Sequence, residues 1–233
     1  MDCKLYQKRM IRRIIISAIF TIVYSSIYAQ SQQEWRDSLY TLNQLIRKNP
    51  YNTDLKLRKA AINIELGQWE YATDEYSRVL ELDPKNLSAY FFRAYANTQL
   101  RRYDLARNDY EKLLNIVPKN FEAQLGLAMV KRKMGRQMDT LEELNKLVLQ
   151  FPDSALAFAA RAGYEAEIKQ YDVALYDWDE ALKRQPNNTD FLISKVDLLI
   201  SLKRHTEAWN LLNDAIKRGV PRLVLKEWID RCK

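Results

Sequence analysis

The chain has one histidine, two cysteines, five glycines and six prolines in 233 residues. Each scarcity removes a class of chemistry. A single histidine, His205, has no second imidazole to complete a metal site, and triads and metal centres both need convergent partners. Five glycines leave no phosphate-cradling loop, and no CxxC, HExxH or GxSxG pattern occurs. Of the two cysteines, Cys3 precedes the first apolar run and Cys232 is the penultimate residue. Cys3 is not placed like a lipoprotein cysteine. If the leader is removed, Cys232 has no internal partner, so the fold relies on its core rather than on a disulfide. Carboxylate-rich stretches such as 176–180 read as exposed helix around Trp178. No cofactor is implied, and the chain reads as a non-enzyme.

The net charge of +7 at first suggests nucleic acid. Its distribution argues otherwise. Residues 1–29 hold Lys4, Lys8, Arg9, Arg12 and Arg13 against Asp2, so without them 32 cations face 29 anions. A net +3 with both signs interspersed is a solvated surface, and no nucleic-acid partner is expected. The basic segment to Arg13, the apolar run 14–24 and the small residues up to Ala29 follow the order of a secretory signal peptide. Residues 1–29 are therefore expected to be a signal peptide cleaved before Gln30, with a signal anchor as the alternative. Ile27 at the −3 position is larger than usual, and the apolar run is short for a span of roughly 20 residues. This places the protein across the inner membrane, in the periplasm or envelope of a Gram-negative bacterium, with membrane contact only through an uncleaved leader.

What is present in abundance is repetition. The prolines stand at 50, 84, 118, 152, 186 and 221, at intervals of 34, 34, 34, 34 and 35. With proline as position 32, five units run 53–86, 87–120, 121–154, 155–188 and 189–222. Position 8 is Ala60, Ala94, Ala128, Ala162 and Val196. Position 20 is Ala72, Ala106, Thr140, Ala174 and Ala208. Position 24 is bulky: Tyr76, Tyr110, Leu144, Trp178 and Leu212. Small residues at 8 and 20 let two helices approach, and the bulky side chain fills the space beside the crossing. Turns fall near positions 14–17, as in 66–69 and 100–103, and proline stops the second helix because it cannot extend the hydrogen-bond ladder.

These motifs resemble the tetratricopeptide-repeat family over about residues 35–222. The resemblance implies an all-α, right-handed α-solenoid of about five helix-turn-helix repeats in one superhelical domain. Residues 30–52 and 223–233 are expected to be capping helices, giving twelve helices after the leader. Repeat three, with Gln137 and Thr140, and repeat five, with Val220 at position 32, depart from the pattern and are expected to pack less regularly. Position 7 (Lys59, Arg93, Leu127, Arg161, Lys195) and position 23 (Glu75, Asp109, Glu143, Asp177, Leu211) carry opposite charges within three repeats and between neighbours. They read as structural ion pairs. Asn86 and Asn187 begin N-glycosylation triplets, but asparagine before a helix is accounted for by capping.

In the family, first helices line a concave groove that binds proteins. Residue by residue, the resemblance points to Phe91, Phe92, Tyr95 and Gln99 in repeat two, Gly126, Met129, Arg132 and Lys133 in repeat three, and Ala160 and Gly163 in repeat four. Aromatic anchors beside small residues would accept a peptide or helix. The family's clamp for chaperone carboxylates is missing, since its positions hold Leu57, Ala61, Phe92, Glu122 and Gly126. The expected role is a protein-interaction scaffold with a protein or peptide partner. The alternative is an accessory of envelope polysaccharide or peptidoglycan machinery that contacts glycan.

Overall fold

The computed structural model describes residues 32–232; the leader assigned to 1–29 lies outside them. All regular structure among the described residues is helical. α1 covers 32–48, and ten helices of 13 or 14 residues follow. They are α2 (Thr53–Glu65) packed with α3 (Trp69–Leu82), then α4 (Leu87–Gln99) and α5 (Tyr103–Ile116), and α6 (Phe121–Lys133) packed with α7 (Gln137–Gln150). α8 (Ala155–Glu167) with α9 (Tyr171–Arg184) and α10 (Thr189–Ser201) with α11 (His205–Lys217) complete the series, and α12 (Lys226–Arg231) ends it.

The punctuation of these helices recurs every 34 residues. Asn52, Asn86, Asn120, Ser154 and Asn188 each accept a hydrogen bond from the backbone N–H three residues on. That satisfies one orphan donor at the start of every first helix. Each first helix then ends in a left-handed residue at position 15: Gly67, Arg101, Gly135, Lys169 and Lys203, with φ between 59° and 73°. The next N–H reaches back five residues, as from Gln170 to the Glu165 carbonyl at 2.8 Å, closing a Schellman-type turn. The proline carbonyls are capped as well. Tyr90 Oη donates to Pro84 and Gln124 Nε2 to Pro118, both from position 4. In the last two repeats the position-30 arginines, Arg184 and Arg218, supply the donor to Pro152 and Pro186 instead.

The chain divides into two compact units, one up to Arg101 and one from Arg102, where a single domain was expected. A repeat array makes contacts only between neighbours, so its cohesion is local rather than global. In the first unit the core gathers Ala60, Ala72, Tyr76, Val79, Ala89 and Ala96. In the second, Ala128, Leu144, Ala162, Ala174, Trp178, Val196, Ala208 and Leu212 belong to one continuous core. The small residues at positions 8 and 20 are fully buried in every repeat, Thr140 included. Repeat three thus packs as tightly at this crossing as its neighbours; Thr140 Oγ1 donates to the Arg136 carbonyl, which satisfies its hydroxyl. Repeat five differs at its end: α11 stops at Lys217, and Gly219 at φ 102° turns the chain before buried Val220.

The C-terminal cap is shorter than expected. Residues 222–225 form turns, Leu223 is exposed, and Leu225 and Ile229 supply the buried contacts. Trp228 Nε1 and Arg231 both donate to Asp197 on α10, which fastens the cap.

The ion pairs follow a rule finer than the one expected. Within repeats, Lys59 pairs with Glu75 at 2.8 Å and Arg161 with Asp177 at 2.6 Å. In repeat three, where position 7 is Leu127, Lys131 one turn later takes Glu143 at 2.8 Å. Between repeats, position 7 reaches position 25 of the preceding unit: Arg93 to Ser77, Arg161 to Asn145 and Lys195 to Asp179. Positions 23 and 25 lie about 200° apart on the second helix, so one faces its own first helix and the other the next.

Candidate binding surface

The groove residues expected in repeat two lie on α4, in the first unit. Phe92 and Tyr95 are one turn apart and are 42% and 39% exposed. Neither ring is free to swing. Phe92 stacks on buried Tyr76 of α3, with centroids 6.0 Å apart and planes 17° off parallel, and meets Phe91 edge-on at 5.2 Å. Tyr95 meets Trp69 of α3 edge-on at 5.9 Å. Two aromatic faces are thus held toward solvent by a second layer of aromatics behind them. Fixed rings of this kind bind with little loss of side-chain freedom. Gln99 is exposed one turn further on.

The first unit also holds a hollow of about 580 Å³ between α1 and α2, lined by Trp35, Ser38, Leu42, Arg58, Ala61 and Ile62. None of the groove residues named in repeats two to four lines it. A sequence signal existed, since α1 corresponds to the second helix of a unit without a first. Positions that are buried in complete repeats are open there, as at Leu45, 40% exposed, where Val79 is fully buried.

The residues expected in repeats three and four belong to the second unit and divide into three kinds. Gly126 does not open space for a ligand. A Cβ there would lie 2.5 Å from Tyr110 Cζ, so the missing side chain is already replaced by the tyrosine ring. Met129 and Ala160 are half-buried and pack against the core. Arg132 is exposed but ion-paired with Glu167 of α8, beside a hollow of about 340 Å³ lined also by Gln137, Tyr164 and Lys169. Lys133 and Gly163 are exposed, and nothing lies within 4 Å of where a Gly163 Cβ would stand.

Little in the described residues has the geometry of catalysis. No group of three His, Cys, Asp or Glu side chains among them is placed to hold a metal ion. His205 is exposed at the start of α11. Burial pushes the Cys232 thiol above its usual range, which lowers its thiolate fraction. Hydrogen bonding to Asp177 holds the Arg161 guanidinium charged even more firmly than usual. No described helix is long and apolar enough to cross a membrane.

A 34-residue helix-turn-helix pattern, with small residues buried at positions 8 and 20 and a capped proline turn after the second helix, defines an α-helical repeat protein. Two family models described as tetratricopeptide repeat match residues 57–121 and 122–154, and the chain is a tetratricopeptide-repeat protein. No curated protein matches the sequence significantly. Solved structures do. A tetratricopeptide-repeat protein from Parabacteroides merdae ATCC 43184 aligns over 87% of this chain and 79% of its own, at 20% identity and a TM-score of 0.63. MamA aligns over 69% of this chain and 94% of its own, at 16% identity and a TM-score of 0.61. YrrB, described as a TPR protein with an unusual peptide-binding site, covers 76% and 92%, at 20% identity and a TM-score of 0.54.

Proposed function

We propose that this chain is a non-enzymatic scaffold of the bacterial envelope that holds a peptide or helix of a partner protein on the aromatic face of its first unit. The observation that carries this reading is the pair Phe92 and Tyr95, exposed on one helix face and braced by Tyr76 and Trp69. Exposed aromatics cost solubility unless something covers them, and fixed aromatic anchors are where binding energy concentrates. The peptide-binding site in YrrB's description is a precedent on a related fold. The envelope assignment rests on the charged, apolar and small-residue order of residues 1–29. The scaffold role accords with a sequence that lacks any recognised catalytic motif.

The test is affinity capture from envelope extract with the wild-type chain and a Phe92→Ala/Tyr95→Ala variant whose helix content is checked by circular dichroism. A partner lost only with the variant supports the reading. Equal capture by both proteins removes the aromatic face from it. Co-sedimentation of the purified protein with cell-wall material, in the absence of other proteins, would instead favour the glycan-binding alternative.

A further inference from the structure

Repeats one to three carry a charge-balanced polar set at positions 7, 11 and 23, repeat five has only Lys195 there, and repeat four breaks the balance. Repeat one places Lys59, Asn63 and Glu75 there, and repeat two has Arg93, Asn97 and Asp109 in sequence. Repeat three uses Lys131 and Glu143 with an apolar Leu127. Each of these sets is formally neutral. Repeat four has Arg161, Glu165 and Asp177, one cation against two carboxyls. Both carboxyls are buried: Glu165 is 3% exposed and Asp177 is 0% exposed.

Arg161 cannot serve both. Its Nε and Nη2 hold the two Asp177 oxygens at 2.6 and 2.9 Å, and its Nη1 goes to Asn145 of α7 at 3.0 Å. Glu165 is left 3.7 Å from the same guanidinium, with its buried Oε2 lacking a hydrogen-bond partner. Asp177 from α9 faces it, Arg161 is on its own helix, and the cation of α10, Lys195, is engaged by Asp179. An ionised Glu165 would leave two buried carboxylates sharing one cation, a cost that proteins avoid by neutralising one of the groups.

We infer that Glu165 is a built-in proton site, protonated in the folded protein, whose carboxyl donates to Asp177 and makes the α8–α9 pairing dependent on pH. The proton is assigned to Glu165 because the bidentate contact commits Arg161 to Asp177 and leaves Glu165 the carboxyl without a full partner. Desolvation, with the neighbouring Asp177 charge, pushes the Glu165 carboxyl up to about 7. The unfolded chain releases this proton near the ordinary glutamate value of about 4.3. Between those values the folded state binds the extra proton, so stability falls as pH rises through the window. The group neither helps nor harms below it, where both states are protonated.

The experiment uses the full chain and two readouts. Carboxyl ¹³C NMR of the wild type, with Glu165 assigned by its absence in Glu165→Gln, should show one titration with its midpoint near 7. Thermal unfolding from pH 5 to 8 should show the wild type losing roughly 5 °C or more in Tm relative to the variant, which carries the proton-like amide at every pH. A Glu165 midpoint in the ordinary glutamate range overturns the inference, and so do parallel Tm profiles for the two proteins. If Glu165→Gln folds poorly, the Glu165 carboxyl is assigned in the wild type by through-bond correlation, so the NMR arm still decides.

Discussion

Gly126 and Gly163 occupy the same kind of position, mid-helix on a first helix, yet replacing each by alanine should change stability in opposite directions. At Gly126 a new Cβ would stand 2.5, 2.7 and 2.8 Å from Tyr110 Cζ, Cε1 and Oη. Ordinary carbon contacts are about 3.5–4.0 Å, so the overlap is of the order of 1 Å. Tyr110 is 4% exposed and its ring has no room to swing aside. Overpacking of this kind costs about 1–3 kcal/mol, and alanine's better helix propensity returns about 1 kcal/mol. An overlap of about 1 Å against a buried ring puts the cost in the upper part of that range, so the expected net loss for Gly126→Ala is about 1–2 kcal/mol, a fall in Tm of roughly 3–6 °C. At Gly163 nothing is within 4 Å, and only the propensity gain of about 1 kcal/mol remains, so Tm should rise by roughly 2–4 °C. Urea unfolding followed by circular dichroism checks both, with unchanged m-values showing that the folded state is the one altered. Tyr110→Leu should remove most of the Gly126→Ala penalty in the double variant, because the two side chains compete for one space. If Gly126→Ala is as stable as the wild type, the assignment of Gly126 to ring packing is wrong.

The helix ends and ion pairs give three further expectations. Asn120→Ala removes the Oδ1 acceptor that caps α6 through the Ala123 N–H at 2.8 Å, and should cost about 1 kcal/mol in chemical denaturation. Lys169 is held at φ 66°, so Lys169→Gly relieves left-handed strain of about 1–2 kcal/mol while adding unfolded-state entropy. A net gain of about 0.5 kcal/mol should appear as a higher urea midpoint. Arg161→Ala leaves the fully buried Asp177 carboxyl without its cation, and should cost about 3–5 kcal/mol, well above the loss from removing an exposed pair such as Lys217–Asp214. Equal small losses for the two pairs would show that the buried pair is not held as described.

Much of the fold was legible because its determinants are local and periodic. Proline at position 32, small residues at 8 and 20 and a bulky one at 24 act within one helix pair, so they appear in the sequence at fixed spacing. Thr140 looked like a defect only because residue type was read without the partner that satisfies it, whereas the shifted proline after Val220 did mark an irregular end to repeat five. The site was less legible for the same reason. Gly126 looked like an opening until Tyr110, 16 residues earlier, was seen to fill it. Arg132 looked like a free cation, whereas Glu167 on the next first helix engages it. The cross-repeat contacts at position 25 and the surplus carboxyl of Glu165 depend on which side of the second helix faces which neighbour. Phe92 and Tyr95 could be named as groove positions from the family pattern, but neither their exposure nor their bracing by Tyr76 and Trp69 could be read from it.

Photocrosslinking in intact cells tests the central claim most directly. A photoreactive phenylalanine analogue at position 92 should yield a discrete covalent adduct with another protein. The same analogue at exposed Tyr176, on α9 of the second unit, should not yield that adduct. An identical adduct from both positions, or none from position 92, would contradict the account of an aromatic docking face.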